Sequence, residues 1–206
     1  MEAFDNKAHW ETIYKTKDST DVSWYQAKPE TSLMFFEQYN VPLSAKIIDI
    51  GGGDSLLVDN LLSRGYKDIS VLDISESAIQ RAQERLGEQS KNVTWVVNDI
   101  RDFTPTVKYD FWHDRAAFHF LTDENDIEKY LQTAQQSLKP GGLMVVGTFS
   151  ETGPTRCSGI DIKQYSETSM TDRLQRYFDK IKCIEEDHTT PFGTVQNFVF
   201  CSFRKS

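Results

Sequence analysis

The sequence predicts an α/β protein: a Rossmann-like, doubly wound, mostly parallel seven-stranded sheet that finishes in an antiparallel strand pair. Three observations carry that prediction. From Lys46 onward, short apolar runs alternate with segments of helical period. The glycines Gly51-Gly52-Gly53 stand where the first apolar run gives way to the first helical one. The last two strand-like runs lie too close in sequence for a helical crossover, so they must be antiparallel.

Residues 46–50 (KIIDI) form the first strand, and residues 54–64 a helix with Leu56, Leu57, Leu61 and Leu62 on one face and Gly65 at its end. Ile69–Leu72 is a second short strand ending at Asp73, after which Ser75 caps a helix running to Leu86 and closed by Gly87. Residues 93–97 (VTWVV) make the third strand and Tyr109–His113 the fourth. After Thr122, the spacing of Ile127, Tyr130, Leu131, Ala134 and Leu138 describes a helix that ends at Lys139-Pro140-Gly141-Gly142, and residues 143–149 (LMVVGTF) are the fifth strand. A helix around residues 166–178 leads to the closing pair, Lys180–Asp187 and Val195–Phe203, joined by a turn with Pro191 and Gly193. Residues 1–45 read as two short helices, around Phe4–Tyr14 and Thr31–Tyr39, with a loop holding Trp24, Tyr25 and Pro29. They form an N-terminal helical lid segment before a domain over residues 46–206.

Composition excludes several classes. In 206 residues, 38% are hydrophobic and 12% aromatic, enough apolar material for an ordinary core. Against 31 Asp+Glu stand 23 Lys+Arg, a formal charge of −8, which offers nucleic acid and anionic lipid no attraction. No apolar run approaches the roughly 18 residues of a membrane helix, and the first residues resemble neither a signal nor a transit peptide. Cys157, Cys183 and Cys201 are far apart, with no CxxC and no histidine at metal-ligand spacing, so reduced thiols, no bound metal and a cytoplasmic location are expected. Nothing in the sequence reports the oligomeric state.

The glycine turn is where chemistry begins. Gly51 and Gly53 let the backbone turn sharply and approach a ligand with no Cβ in the way. At the end of the next strand, Asp73 is placed to accept both hydroxyls of a ribose, and the combination describes an adenosine site. A dinucleotide fold needs a third glycine where Leu56 stands, which disfavours a nicotinamide cofactor. Asp49, ahead of the turn, would repel a pyrophosphate but suits an ammonium group, as in S-adenosyl-L-methionine.

These residues resemble the class I S-adenosylmethionine-dependent methyltransferases. The resemblance spans about residues 46–203 and is carried by Asp49–Gly53, Asp73, Asn98-Asp99-Ile100, His113–Phe120, Leu138–Gly142 and the closing antiparallel pair. It implies transfer of methyl from S-adenosylmethionine to a small molecule or a protein side chain. It also implies a cofactor-binding set of Asp49, Gly51, Gly52, Gly53, Asp73, Ile74, Asp99, Ile100, Asp114 and Trp24. In such enzymes Asp73 would hold the ribose, and Asp99 with Ile100 the adenine. Ser55 departs from the family's usual third glycine.

On the acceptor side, the segment after the fourth strand offers His113, Asp114 and His119, with His119 the preferred base because histidine titrates near neutrality. Arg156, Cys157 and Tyr165 lie in residues 150–165, a connection long enough to act as a substrate lid. Together with His113 they form the expected substrate set, Arg156 to meet a carboxylate and to lower the Cys157 thiol pKa. Trp10, Tyr14, Trp24 and Tyr25 are placed to close over a cation. After the fourth strand there is no Asp/Asn-Pro-Pro-aromatic run, which argues further against nucleic acid as a substrate. A binding module that has lost its chemistry is the alternative from another class, a nicotinamide-dependent reductase the weaker third.

Overall fold

The computed structural model describes residues 4–206; residues 1–3 of the expected lid segment lie outside the described residues. Two N-terminal helices, α1 (Asn6–Thr16) and α2 (Glu30–Gln38), precede β1 (Lys46–Ile50), α3 (Leu57–Ser63), β2 (Asp68–Asp73), α4 (Glu76–Leu86), β3 (Val93–Val97) and β4 (Tyr109–Arg115). The chain continues through α5 (Glu124–Ser137), β5 (Leu138–Phe149), a hairpin of β6 (Arg156–Cys157) and β7 (Ile160–Asp161), α6 (Glu167–Leu174), β8 (Asp179–Thr189) and β9 (Val195–Arg204). Seven strands form one sheet in the order β3-β2-β1-β4-β5-β9-β8. The pairs from β3 to β5 are parallel, and β9 lies antiparallel to both β5 and β8. The expected fold class is the observed one.

Strand periodicity sorts the core into two layers. Ile47 and Phe111 turn to the face covered by Phe35 and Phe36 of α2 and Leu57 and Leu61 of α3. Their neighbours Ile48 and Trp112 turn to the face covered by Ile127, Tyr130 and Leu131 of α5 and Leu174 of α6. Ser75 caps α4 as expected, its side chain accepting from the Ala78 N–H.

Two expectations are corrected. Lys139-Pro140-Gly141-Gly142 does not lie between helix and strand: β5 already includes it, and the Gly142 carbonyl accepts from the Lys205 N–H while the Gly141 N–H donates to the Lys205 carbonyl. The cysteines are not all reduced. Cys183 and Cys201 face each other in the β8–β9 register and form a disulfide. Residues 150–165 hold the β6–β7 hairpin, whose two-residue turn, Ser158-Gly159, has φ of 49° and 80°, the geometry that matches strand twist. No helix among the described residues is long and apolar enough to cross a membrane.

Candidate active site

The sheet reverses its winding between β1 and β4, and a crevice opens there at the carboxyl ends of the strands. The turn after β1 holds Gly51 at φ 63° and Gly53 at φ 49°. A Cβ on Gly51 would come within 2.6 Å of the Ala117 Cβ, and one on Gly52 within 2.6 Å of the Asp49 carboxylate. Backbone thus lies bare toward the cavity because no side chain fits. Beneath the turn, the buried Asp49 carboxylate sits 2.7 Å from His113 Nδ1, and His113 Nε2 sits 2.9 Å from the Ser32 hydroxyl. That chain ties β1, β4 and α2 together directly below the glycines.

Asp73, at the end of β2, is 5% exposed, and its Oδ1 accepts the Ser75 N–H at 2.8 Å. Burial raises its carboxyl to about 7, with the nearby Asp54 and Asp49 charges adding to the rise and backbone N–H groups opposing it. Asp73 has no ion-pair partner among the described residues. Asp99 differs. Burial works against its charge, but the Arg101 guanidinium clamps both carboxylate oxygens at 2.6 to 3.0 Å and holds its pKa below the ordinary value. Ile74 and Ile100 supply the apolar wall of the same cavity.

The roof is aromatic. Trp10 of α1 meets Trp24 edge-on at 5.8 Å and Phe120 at 5.2 Å, and the Tyr14 hydroxyl lies 2.8 Å from where a Gly53 Cβ would stand. Glu11 of the same helix reaches α4, its Oε1 accepting the Glu76 N–H at 2.5 Å and its Oε2 the Ser77 hydroxyl at 2.5 Å. A carboxylate at that helix start meets unpaired N–H groups and the positive end of the dipole. The enclosed space is about 280 Å³, near the small end of ligand cavities.

A family model described as a methyltransferase domain matches residues 47–142, from β1 into β5. A malonyl-[acyl-carrier protein] O-methyltransferase of Ilyobacter polytropus is 29% identical over 106 residues, 51% of this chain and 39% of that protein, so the match spans about two-fifths of that relative. EEF1A lysine methyltransferase 2 of Mus musculus is 22% identical over 167 residues, covering 73% of this chain and 68% of that one. The N-methyltransferase NodS of Bradyrhizobium japonicum, solved with S-adenosylhomocysteine, superposes with a TM-score of 0.73 at 17% identity over 98% of this chain and 99% of that one. Residues 47–142 of this chain are thus similar in sequence to a methyltransferase domain, and the whole chain shares its fold with such enzymes.

The residues singled out in sequence fall into two groups. Asp49, Gly51, Gly52 and Asp73 line the cavity, as do Ile74, Asp99, Ile100 and Trp24, and on the acceptor side His113 and Cys157. Gly53 and Asp114 do not line it. Gly53 faces Tyr14 and Asp73; Asp114 is wholly buried, accepting from the Tyr130 hydroxyl and the Ala117 and Phe118 N–H groups, with its carboxyl raised to about 6 by that burial. His119 is corrected as a base: it is wholly buried outside the lining, and desolvation, reinforced by the Arg115 charge, lowers its pKa to about 3. Arg156 points away, paired with Asp161 at 2.7 Å, and Tyr165 is buried against Phe118. The Cys157 thiol is not activated either, since burial raises it to about 12.

Sequence reasoning missed Ser32, Arg101 and Arg115 as cavity residues. Ser32 and Arg101 carry no motif, whereas Arg115 stood inside the segment already under suspicion. Immediately after it, Ala116 is held at φ 66°, a conformation that non-glycine residues seldom adopt.

Proposed function

We propose that this chain transfers the methyl group of S-adenosylmethionine to a small molecule or to a side chain of another protein. The observation that carries the reading is Asp73: a buried carboxylate with no cationic partner, beside a turn that leaves no room for a Cβ. Such a group needs donors, and two ribose hydroxyls provide them. When bound, the cofactor supplies a methyl group already activated on a positively charged sulfur. The chain's own work is then to bind, orient and exclude water. Asp73 accepts the ribose, Ile74 and Ile100 flank the adenine, and Asp99 stands beside them. The Asp49–His113–Ser32 chain keeps the glycine turn in register with β4. The N-terminal segment, residues 1–45, acts as the lid of a domain formed by residues 46–206.

Both acceptor classes have support in the activities for which relatives are named, one a malonyl-[acyl-carrier protein] O-methyltransferase and another a lysine methyltransferase. The acidic balance of the chain speaks against nucleic acid as the acceptor. A cytoplasmic location stays part of the proposal, and the Cys183–Cys201 bridge is the feature that speaks against a strongly reducing compartment. Calorimetric titration with S-adenosylmethionine, followed by mass-spectrometric detection of S-adenosylhomocysteine formed with candidate acceptors, tests the reading. Saturable binding and acceptor-dependent turnover are expected; absence of binding overturns it.

A further inference from the structure

Among the described residues, Arg115 is the cation lining the cavity that no carboxylate pairs. Two arginines line that space, and Arg101 is consumed by Asp99 and Asp126. Arg115 makes no ion pair among the described residues. Its Nη1 donates to the Trp24 carbonyl at 3.0 Å, its guanidinium carbon lies 5.0 Å from the centre of the Phe198 ring, and its Nη2, shielded from solvent, has no hydrogen-bond partner. Burial pushes its pKa down to about 10, with Cys157 and Asp49 offsetting only part of the cost. A half-buried cation whose Nη2 is shut from solvent without a partner is expensive, and a cavity is where a ligand can relieve that expense.

Placement says which side of the cavity it serves. Arg115 ends β4, two residues before Ala117, whose Cβ abuts Gly51, and one residue before the left-handed Ala116, whose N–H donates to the Gly147 carbonyl at 2.8 Å. The strained backbone at Ala116 fixes where the guanidinium leaves the sheet. A sulfonium in the same low-dielectric space would repel Arg115 unless an anion, on the acceptor or on the cofactor's own methionine moiety, lay between them, and unchanged S-adenosylhomocysteine affinity in an Arg115 variant separates the two. The anion is singly charged by the same logic: a phosphate dianion would meet one arginine while facing Asp49, Asp54 and Asp73, which line the cavity too. A planar carboxylate matches the guanidinium fork.

We infer that Arg115 is the acceptor-recognition residue of this chain and that the acceptor carries a carboxylate. The inference rests on the reading that S-adenosylmethionine binds this cavity. It moves to Arg115 the role that sequence reasoning assigned to Arg156, which is spent on Asp161 at the surface.

The test uses the whole chain saturated with S-adenosylhomocysteine. Phenylacetate and phenylacetamide, succinate and succinamide, and an acetylated tripeptide with a free or an amidated C-terminus are titrated calorimetrically as matched pairs. At least one acid is expected to bind roughly tenfold or more tightly than its amide, the ordinary advantage of a charge-assisted hydrogen bond. The small acids and the tripeptide separate a free metabolite from a chain end as the source of the carboxylate. Arg115→Gln is expected to erase the preference and Arg115→Lys to keep part of it, while both bind S-adenosylhomocysteine within about threefold of the native chain. Should Arg115→Gln fail to fold, Arg115→Lys and the native comparison decide. Normal S-adenosylhomocysteine binding with no acid preferred over its amide, or a preference that survives Arg115→Gln, overturns the inference alone. Failure of S-adenosylhomocysteine to bind the native chain overturns the cofactor reading and the inference with it.

Discussion

Below about pH 7 Asp73 carries a proton that binding of the cofactor, as proposed, must expel. Its carboxyl, raised by burial from 3.8 to about 7, is mostly neutral in the free protein at pH 6, and a neutral carboxyl cannot accept two ribose hydroxyls as an anion does. Affinity for S-adenosylhomocysteine is therefore expected to be level above that value and to fall by about tenfold per pH unit below it. The sign for stability is opposite. A raised folded pKa contributes stability that is present below 3.8 and lost as pH rises through about 7, because the unfolded chain then ionises more readily. Asp73→Asn should bind weakly at pH 8 and show no pH slope; a slope that persists in the variant would assign the titration elsewhere. Calorimetry across the range in buffers of different ionisation heat reads both the affinity and the proton released. Asp73 was legible in sequence because it closes a strand after a glycine turn. Ser32 was not, since it acts through His113, which the chain brings near only by folding, and Arg101 was not, since a pairing with Asp99 two residues away carries no motif.

The elements that matter most to the cavity are those outside the sheet. Helix α1 is attached by Glu11 at the start of α4, a contact across 65 residues with no local sequence signature. Its aromatic face, in contrast, is visible in the spacing of Trp10 and Tyr14 with Trp24 downstream. Glu11→Ala should cost about 1 kcal/mol of capping and loosen the arm before anything else. Amide hydrogen exchange is expected to rise from Trp10 to Tyr25 in the variant and to fall there in the native chain with S-adenosylhomocysteine. Unchanged exchange in both comparisons would make the arm a fixed part of the core. The β6–β7 hairpin escaped notice for a different reason, as two-residue strands are too short to show a period.

At the scale of the molecule, alternation of apolar runs with helical segments was enough to predict the sheet, its two helical layers and the antiparallel ending. The disulfide was not legible, because pairing across β8 and β9 depends on register and not on cysteine spacing. Cys183 and Cys201 are 18 residues apart, so their link should add about 3 kcal/mol by limiting the unfolded chain. Thiol titration in denaturant is expected to find one reactive cysteine without reductant, Cys157, and three after reduction. Cys183→Ser should lower the unfolding midpoint and leave cofactor affinity unchanged, since β8 is the sheet edge opposite β3. Three thiols without reduction would show that the bridge does not form.

Tyr14 sits against Gly53 and Asp73, so, if α1 is the lid proposed above, a nucleoside reaches or leaves the turn when α1 lifts. On that reading the doorway would be shared by arriving substrate and departing product, and one contact, Glu11 on α4, would latch both directions of traffic. A tighter latch shuts out water and also detains the spent molecule, while a looser one clears the queue at the risk of a leaky chamber. Speed and tightness pull against each other on a single side chain, far from any reacting atom, and its replacement is a way to retune tempo without touching the chamber itself.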